Sequence, residues 1–345
     1  MKKRILCVLI LAICTVSFLT SANISSPAAT VKLIRNKIIT TTELDKNVTD
    51  YQAQGVSVTP LQVLNAMINA ELFSQGAERE GFVLTDEQVD SLVTASKQNV
   101  ESQLGSTITD DQFTQIIVQQ TGLSMTDFRQ YLSEQYIRQQ YVSSKKPEML
   151  KNLPAPTDKE IESFYKQNVK QFFNPEAIKL SHIFIPLKAN DDATNNTNKA
   201  KMEDIYSQIV SGKLTFEKAV NLYSEDSDSS NKGGDIGWLA IDSTTDRQNM
   251  GDEFFDKAFD LDAGEISDVV TSNYGYHIIK VTVHSQPKIL TLTDKISPDQ
   301  NTTVKSYITS YLSNQKLEAA FVSAYNSLIV DLKNEASIKI LYKES

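Results

Sequence analysis

Cysteine is almost missing from this chain of 345 residues: Cys7 and Cys14 are the only two, and both lie in the first fourteen positions. A disulfide framework, a cysteine zinc site and thiol catalysis are therefore excluded from the body of the chain. Histidine is scarce as well, with three residues, His182, His277 and His284. That leaves little room for a His-rich metal site, and no cofactor is implied. Basic charge is in deficit, with 34 Lys and Arg against 43 Asp and Glu, which argues against general nucleic-acid binding. Past the N-terminus no apolar run is long enough to span a bilayer, so an integral membrane protein is not expected. What is present is an ordinary globular composition, 40% hydrophobic and 22% charged, which excludes global disorder. The length suggests two or three domains.

Lys2, Lys3 and Arg4 precede an apolar run from Ile5 to Leu19, and Thr20-Ser21-Ala22 supplies small residues for a cleavage site. This is the pattern of a secretory signal peptide spanning 1–22. Anchoring as a lipoprotein through Cys14 is disfavoured, because Ile13 is bulky where a small residue is wanted. Cleavage after Ala22 removes three basic residues and both cysteines. It leaves 31 basic and 43 acidic side chains, a net −12. The product is expected to be soluble and exported.

Val31–Thr40 reads as a strand and turn. From Thr42 to about Phe173 the pattern is helical. Thr59-Pro60 places proline at a first helical position, and Thr85–Gln88, Thr109–Gln112 and Thr157–Glu160 fit capping boxes. Leu61, Leu64, Met67, Ile68 and Leu72 recur at helical spacing, as do Phe128, Leu132, Tyr136 and Ile137, the pattern of a bundle core. Five of the nine prolines fall between Pro147 and Pro186, and 145–156 reads as a linker.

From Ala177 the period changes. Ile178–Pro186 alternates as a strand, Lys199–Val210 and Thr215–Tyr223 read as helices, and Gly233–Trp238 (GGDIGW) reads as a glycine turn. Asp252–Phe259 follows as a short helix, then Ile266–Val270 and Tyr276–Val283 as strands. The tail is helical from about Val304 to Leu332 and ends in a strand at 337–342. The expected class is α+β: a helical module built from N- and C-terminal segments, with an inserted α+β domain of antiparallel sheet and surrounding helices. The divisions are 23–173, 177–284 and 285–345, with strand 31–40 pairing strand 337–342.

The middle segment resembles the parvulin family of peptidyl-prolyl isomerases through motifs in order. They are Leu180–Ile185 (LSHIFI), Phe216–Ser227, Gly233–Trp238, Met250 with Phe254, Ala258-Phe259, Gly264–Ser267 and Tyr274–Ile279 (YGYHII). The whole layout, with Asn36–Leu44 near its start, resembles SurA/PrsA-type secreted foldases. The resemblance implies an isomerase and chaperone whose partners are unfolded or proline-containing exported polypeptides. It implies a periplasmic location. The alternative is a holdase whose parvulin unit is inactive or structural.

By the same resemblance, His182, Asp226 and His277 are the catalytic positions. Asp226 stands where relatives carry Cys or Asp, and Asp228 is a neighbouring competitor. Met250, Phe254, Phe259 and Ile236 form the expected apolar seat for the proline ring. Four residues apart, Met250 and Phe254 are expected to share one helical face. Tyr274 is a candidate rim residue, Trp238 packs the domain, and His284 is expected to face solvent. Residues 176–286 carry 19 acidic and 10 basic side chains. Without a basic groove, phosphate-specific recognition of Ser-Pro targets is not expected.

Overall fold

The computed structural model describes residues 25–297 and 300–343. The expected signal peptide, with Cys7 and Cys14, lies outside the described residues. The chain divides into two compact units, one from residues up to Pro154 together with those from Asn314 on, the other Ala155–Ser313.

The first unit opens with β1 (Pro27–Lys32) and β2 (Asn36–Thr40). Then come α1 (Thr41–Ala53), α2 (Pro60–Arg79), α3 (Asp86–Leu104), α4 (Asp110–Thr121), α5 (Met125–Lys145) and α6 (Pro147–Leu150). Capping boxes set four of these starts. Thr40, Thr59, Thr85 and Thr109 each accept from the N3 backbone amide, and the N3 Glu or Gln returns to the cap. The expected apolar stripe on α2 buries Leu64, Ile68 and Leu72 in one core with Leu44 and Tyr141. Leu61, at the start of that helix, is 40% exposed, as is Tyr136 on α5. A separate small core holds Phe113, Ile117 and Phe128. The β1–β2 turn is fixed from below by Gln75, fully buried on α2. Its Oε1 accepts from the backbone amides of Leu33, Ile34 and Arg35 at 3.0, 2.9 and 3.2 Å.

The second unit contains α7 (Asp158–Gln167), β3 (Phe173–Asn174), β4 (Ala177–Pro186), α8 (Asp192–Val210) and α9 (Phe216–Tyr223). It continues with β5 (Asp235–Ala240), α10 (Thr244–Met250), α11 (Asp252–Phe259), β6 (Ile266–Thr271), β7 (Gly275–Ser285) and β8 (Lys288–Ile289). Helix α12 (Val304–Glu335) starts in this unit and ends in the first, where β9 (Ser337–Ile340) follows. Strand β9 pairs antiparallel with β1, Ala29 opposite Ile340 and Val31 opposite Ile338, so both ends of the chain share one sheet, ordered β2-β1-β9.

Two placements differ from the sequence reading. Residues 155–173 and 285–313 group with the second unit, because Ile161, Phe172, Leu290, Val304 and Ile308 close a common core. The glycine motif is not only a turn, since Asp235–Ala240 is an edge strand paired with β4.

The four-stranded sheet of this unit is antiparallel throughout, ordered β5-β4-β7-β6. Its two faces follow from alternation along the two central strands. Ile178 and Leu180 on β4, with Ile279 and Val281 on β7, pack against Phe254, Phe255 and Ala258 of α11. Ile183 and Ile185, with Tyr276 and Ile278, pack on the other face against α8 and α9 through Met202, Ile205, Phe216 and Val220. The same period assigns His182 and His277 to the α11 face. Among the described residues, no helix is long and apolar enough to cross a membrane.

Candidate active site

Phe184 lies opposite His277, and His182 opposite Ile279, so the two histidines are diagonal neighbours on adjacent strands. Both are buried, His182 at 6% and His277 at 1% exposure. Aromatic rings enclose them. Phe184 stacks on His182 at 5.7 Å and lies 4.9 Å from His277, while Phe254 meets His277 edge-on at 4.8 Å.

The hydrogen bonds fix the tautomers. The Ser272 oxygen accepts from the backbone amides of Tyr274 at 3.0 Å and Gly275 at 3.2 Å. Both its lone pairs are then used, so its own proton goes to Nε2 of His277, 2.7 Å away. His277 carries its proton on Nδ1 and donates to Nδ1 of His182 at 3.1 Å. His182 carries its proton on Nε2 and donates to Asp226 Oδ2 at 2.9 Å. Ser229 donates to that same carboxylate oxygen, and the Asp228 amide donates to the other at 3.1 Å. The result is a one-way chain from Ser272 through both imidazoles to Asp226. Asp228 contributes only its backbone amide, which separates it from its neighbour.

Electrostatics agree with two neutral rings and one anion. Burial pushes His277 down to about 3, with His182 beside it adding to the effect. Burial also lowers His182, although the bond to Asp226 works against it. At Asp226 burial favours the neutral acid, but the bonds from Ser229, His182 and the Asp228 amide together hold the carboxyl below its ordinary value.

The buried His277 ring, held down at about 3, is expected to contribute no inflection between about pH 6 and 8 to the rate of a reaction at this site. A step near pH 6.5 that disappears in His277→Asn would contradict the neutral pair. Stability has a definite sign as well. Depressed histidines favour proton uptake by the unfolded chain once pH falls below the unfolded histidine value, about 6.5. Depressed Asp226 likewise loses its contribution as pH falls through its folded value. A melting series is therefore expected to show the second unit weakening towards acid.

The expected apolar seat is brought together only in part. Phe254 is buried in the α11 core and Met250 packs against it. They do not share a helix, however. α10 ends at Met250, and Gly251, at φ 91°, separates it from α11. Phe259 stands five residues beyond Phe254 and packs on Phe255 at 4.9 Å and His284 at 6.4 Å. Ile236 on the edge strand is 40% exposed and Tyr274 is 53% exposed. Trp238 is half-buried on β5, opposite Lys179.

His284 does not face solvent as expected. Its Nδ1 donates to the Leu261 carbonyl at 2.8 Å, and its Nε2 meets Glu176 at 2.7 Å. A proton on both nitrogens suits these two acceptors, and the Glu176 bond raises its pKa. Ser272, Ser229 and Phe184 are site residues that sequence reasoning missed. Ser272 is visible only as part of the segment leading into YGYHII.

Residues 182–283 match the PPIC-type PPIASE domain (Rotamase), and residues 1–142 match the SurA-like N-terminal domain. Two segments of the chain thus match known domains, one a PPIC-type peptidyl-prolyl isomerase domain and the other the N-terminal domain of SurA-like proteins. Among curated relatives, the chain is 35% identical over 148 residues to Chaperone SurA of Buchnera aphidicola, covering 43% of this chain and 30% of that protein. It is 26% identical over 281 residues to Foldase protein PrsA of Caldanaerobacter subterraneus, covering 81% and 72%. It is 33% identical over 178 residues to Foldase protein PrsA 3 of Bacillus cereus, covering 52% of each. Two of these three alignments span less than two thirds of the relative's length. The isomerase domain holds all of the histidine network, and the isomerase match takes in each residue of it.

Proposed function

We propose that the protein is a peptidyl-prolyl cis–trans isomerase and chaperone acting on exported, unfolded polypeptides. The observation that carries the reading is the buried His182–His277 pair, held neutral inside aromatic rings and anchored on Asp226. Rotation about an X–Pro bond transfers no proton. It breaks amide resonance against a barrier of about 18–20 kcal/mol, and the twisted amide has lost the dipole that water favours. A rigid, weakly polar wall beside an apolar grip lowers that barrier by favouring the twisted state. Met250 supplies the grip, backed by the core that buries Phe254, and the histidine chain supplies a wall that stays uncharged. Asp226 acts through His182 as its orienting acceptor. Ile236 and Phe259 are assigned a lesser part, one on the edge strand and the other at the end of α11. The segment 1–22 serves as an export signal and the destination is the periplasm.

A cavity in the first unit favours chaperoning alongside catalysis. It has a volume of about 480 Å³ and is lined by Tyr51, Met67, Phe73, Phe82, Ile137 and Tyr325 among others. That size and lining suit one large apolar side chain of a non-native client.

Refolding of a client whose slow phase is limited by proline tests the enzyme reading. The wild type is expected to accelerate that phase in catalytic amounts. Met250→Ala is expected to lose about 10–100-fold of kcat/KM, the scale of removing several methylene-sized contacts from the seat that holds the proline ring. Equal slow-phase rates with and without wild-type protein would leave only the holdase.

A further inference from the structure

Asn273, in the turn between β6 and β7, stands outside the histidine chain yet makes the most concentrated set of contacts beside it. α10 ends at Met250 and, like any helix, leaves its last four carbonyls without partners inside the helix. The Arg247 carbonyl accepts from the Gly251 amide at 2.9 Å. The other three all accept from one residue. The Asn273 backbone amide donates to Met250 at 2.9 Å. Its side-chain amide donates to Gln248 at 3.0 Å and Asn249 at 3.1 Å.

The junction is closed tightly around this clamp. Gly251 turns the chain at φ 91°, and a Cβ there would lie 3.2 Å from Asn273 Oδ1. Two residues before Asn273, the Thr271 amide donates to Glu253 Oε1 on α11 at 2.9 Å. Between these two stitches sits Ser272, whose hydroxyl holds His277. Three consecutive residues thus fasten the α10–α11 junction on one side and the histidine pair on the other.

We propose that Asn273 is a positioning residue that clamps the end of α10, sets the placement of Met250 in the proline seat, and locks that seat in register with the histidine chain. The proposal rests on the isomerase reading for its kinetic consequence but not for its structural one. Only a side-chain amide donates to two carbonyls from this position. A carboxylate of the same size cannot, and it faces three carbonyl oxygens with a charge.

The test uses the full chain and a proline tetrapeptide. Asn273→Asp keeps the backbone bond and is expected to raise KM about tenfold with kcat within about twofold, as loss of substrate grip requires. Asn273→Ala, which adds no charge, is expected to raise KM about threefold and serves if the aspartate variant fails to fold. In a Met250→Ala background Asn273→Ala is expected to add nothing further. An unchanged KM in both variants, a loss confined to kcat, or full additivity with Met250→Ala would overturn the proposal. A second readout needs no activity. In protein labelled at methionine methyls, the Met250 resonance is expected to shift and broaden in Asn273→Ala, and an unmoved resonance overturns the clamp. An inactive wild type with a shifted Met250 resonance would remove the isomerase reading while leaving the clamp standing.

Discussion

Gly234→Ala is expected to cost the isomerase unit about 3–5 kcal/mol and to lower kcat/KM by about 100-fold or more. Gly234 sits at φ 80°, and a Cβ there would lie 2.4 Å from the His182 carbonyl oxygen and 3.1 Å from the His182 amide nitrogen. Its own carbonyl accepts from that amide at 2.9 Å. The atoms in the way are backbone and cannot rotate aside, so the stretch of β4 that carries His182 must move. The histidine chain depends on bonds near 3 Å at each link and does not survive such a shift. Gly233→Ala provides the contrast. It shares a positive φ, 68°, but a Cβ there meets nothing within 4 Å. Only the backbone cost of about 1–2 kcal/mol is expected, with most activity kept. Thermal melts and peptide isomerisation rates for both variants check this. Similar behaviour of the pair would contradict it.

The second large effect falls in the other unit. Gln75→Leu is expected to cost about 2–4 kcal/mol, seen as a fall of about 10 °C in the melting midpoint of the first unit. The side chain keeps its bulk, but the amides of Leu33, Ile34 and Arg35 lose their shared acceptor inside the β1–β2 turn. Strand β1 is central to the sheet that joins both chain ends, so a loosened turn is felt by β9 as well. Gln75→Glu keeps an acceptor for the three amides but loses the Nε2 donation to Glu71 Oε1 at 2.7 Å and buries a second carboxylate beside it, so it is expected to be destabilised as well. Melts of Gln75→Leu within 2 °C or so of wild type would show that water replaces the side chain.

How far the site could be read from the sequence follows from which interactions are local. Capping boxes at Thr85, Thr109 and Thr157 are local and are found. The alternation of β4 and β7 is local too. It suffices to put His182 and His277 on one face, opposite the layer of Ile183 and Ile185. What failed depends on the third dimension. The spacing of Met250 and Phe254 suggests one helix, but Gly251 breaks it, and their common core is made by tertiary packing. Asp235–Ala240 lacks an alternating apolar pattern and becomes a strand through its pairing with β4. Thr244–Met250 has no apolar period, and its helix is started by the Ser243 cap and ended by Asn273. Residues 155–173 join the second unit through a core whose members lie more than a hundred positions apart in sequence. The serines at 229 and 272 look like ordinary loop residues until the bonds to Asp226 and His277 are seen.

The acidity of the isomerase segment now has a local meaning at one point. Asp226 is spent on orienting His182, and its charge is shared among three donors. Neither imidazole needs to carry charge, which is the condition for a wall that favours a twisted, depolarised amide.

The proposed activity of this site is the turnover of X–Pro bonds. Exchange spectroscopy on a short proline peptide, with the full chain present in substoichiometric amounts, measures it directly. Exchange between cis and trans resonances is predicted on the sub-second scale with wild type and is predicted to fade in Met250→Ala, against tens of seconds or more for the free peptide. Exchange no faster with wild type than for peptide alone would contradict it.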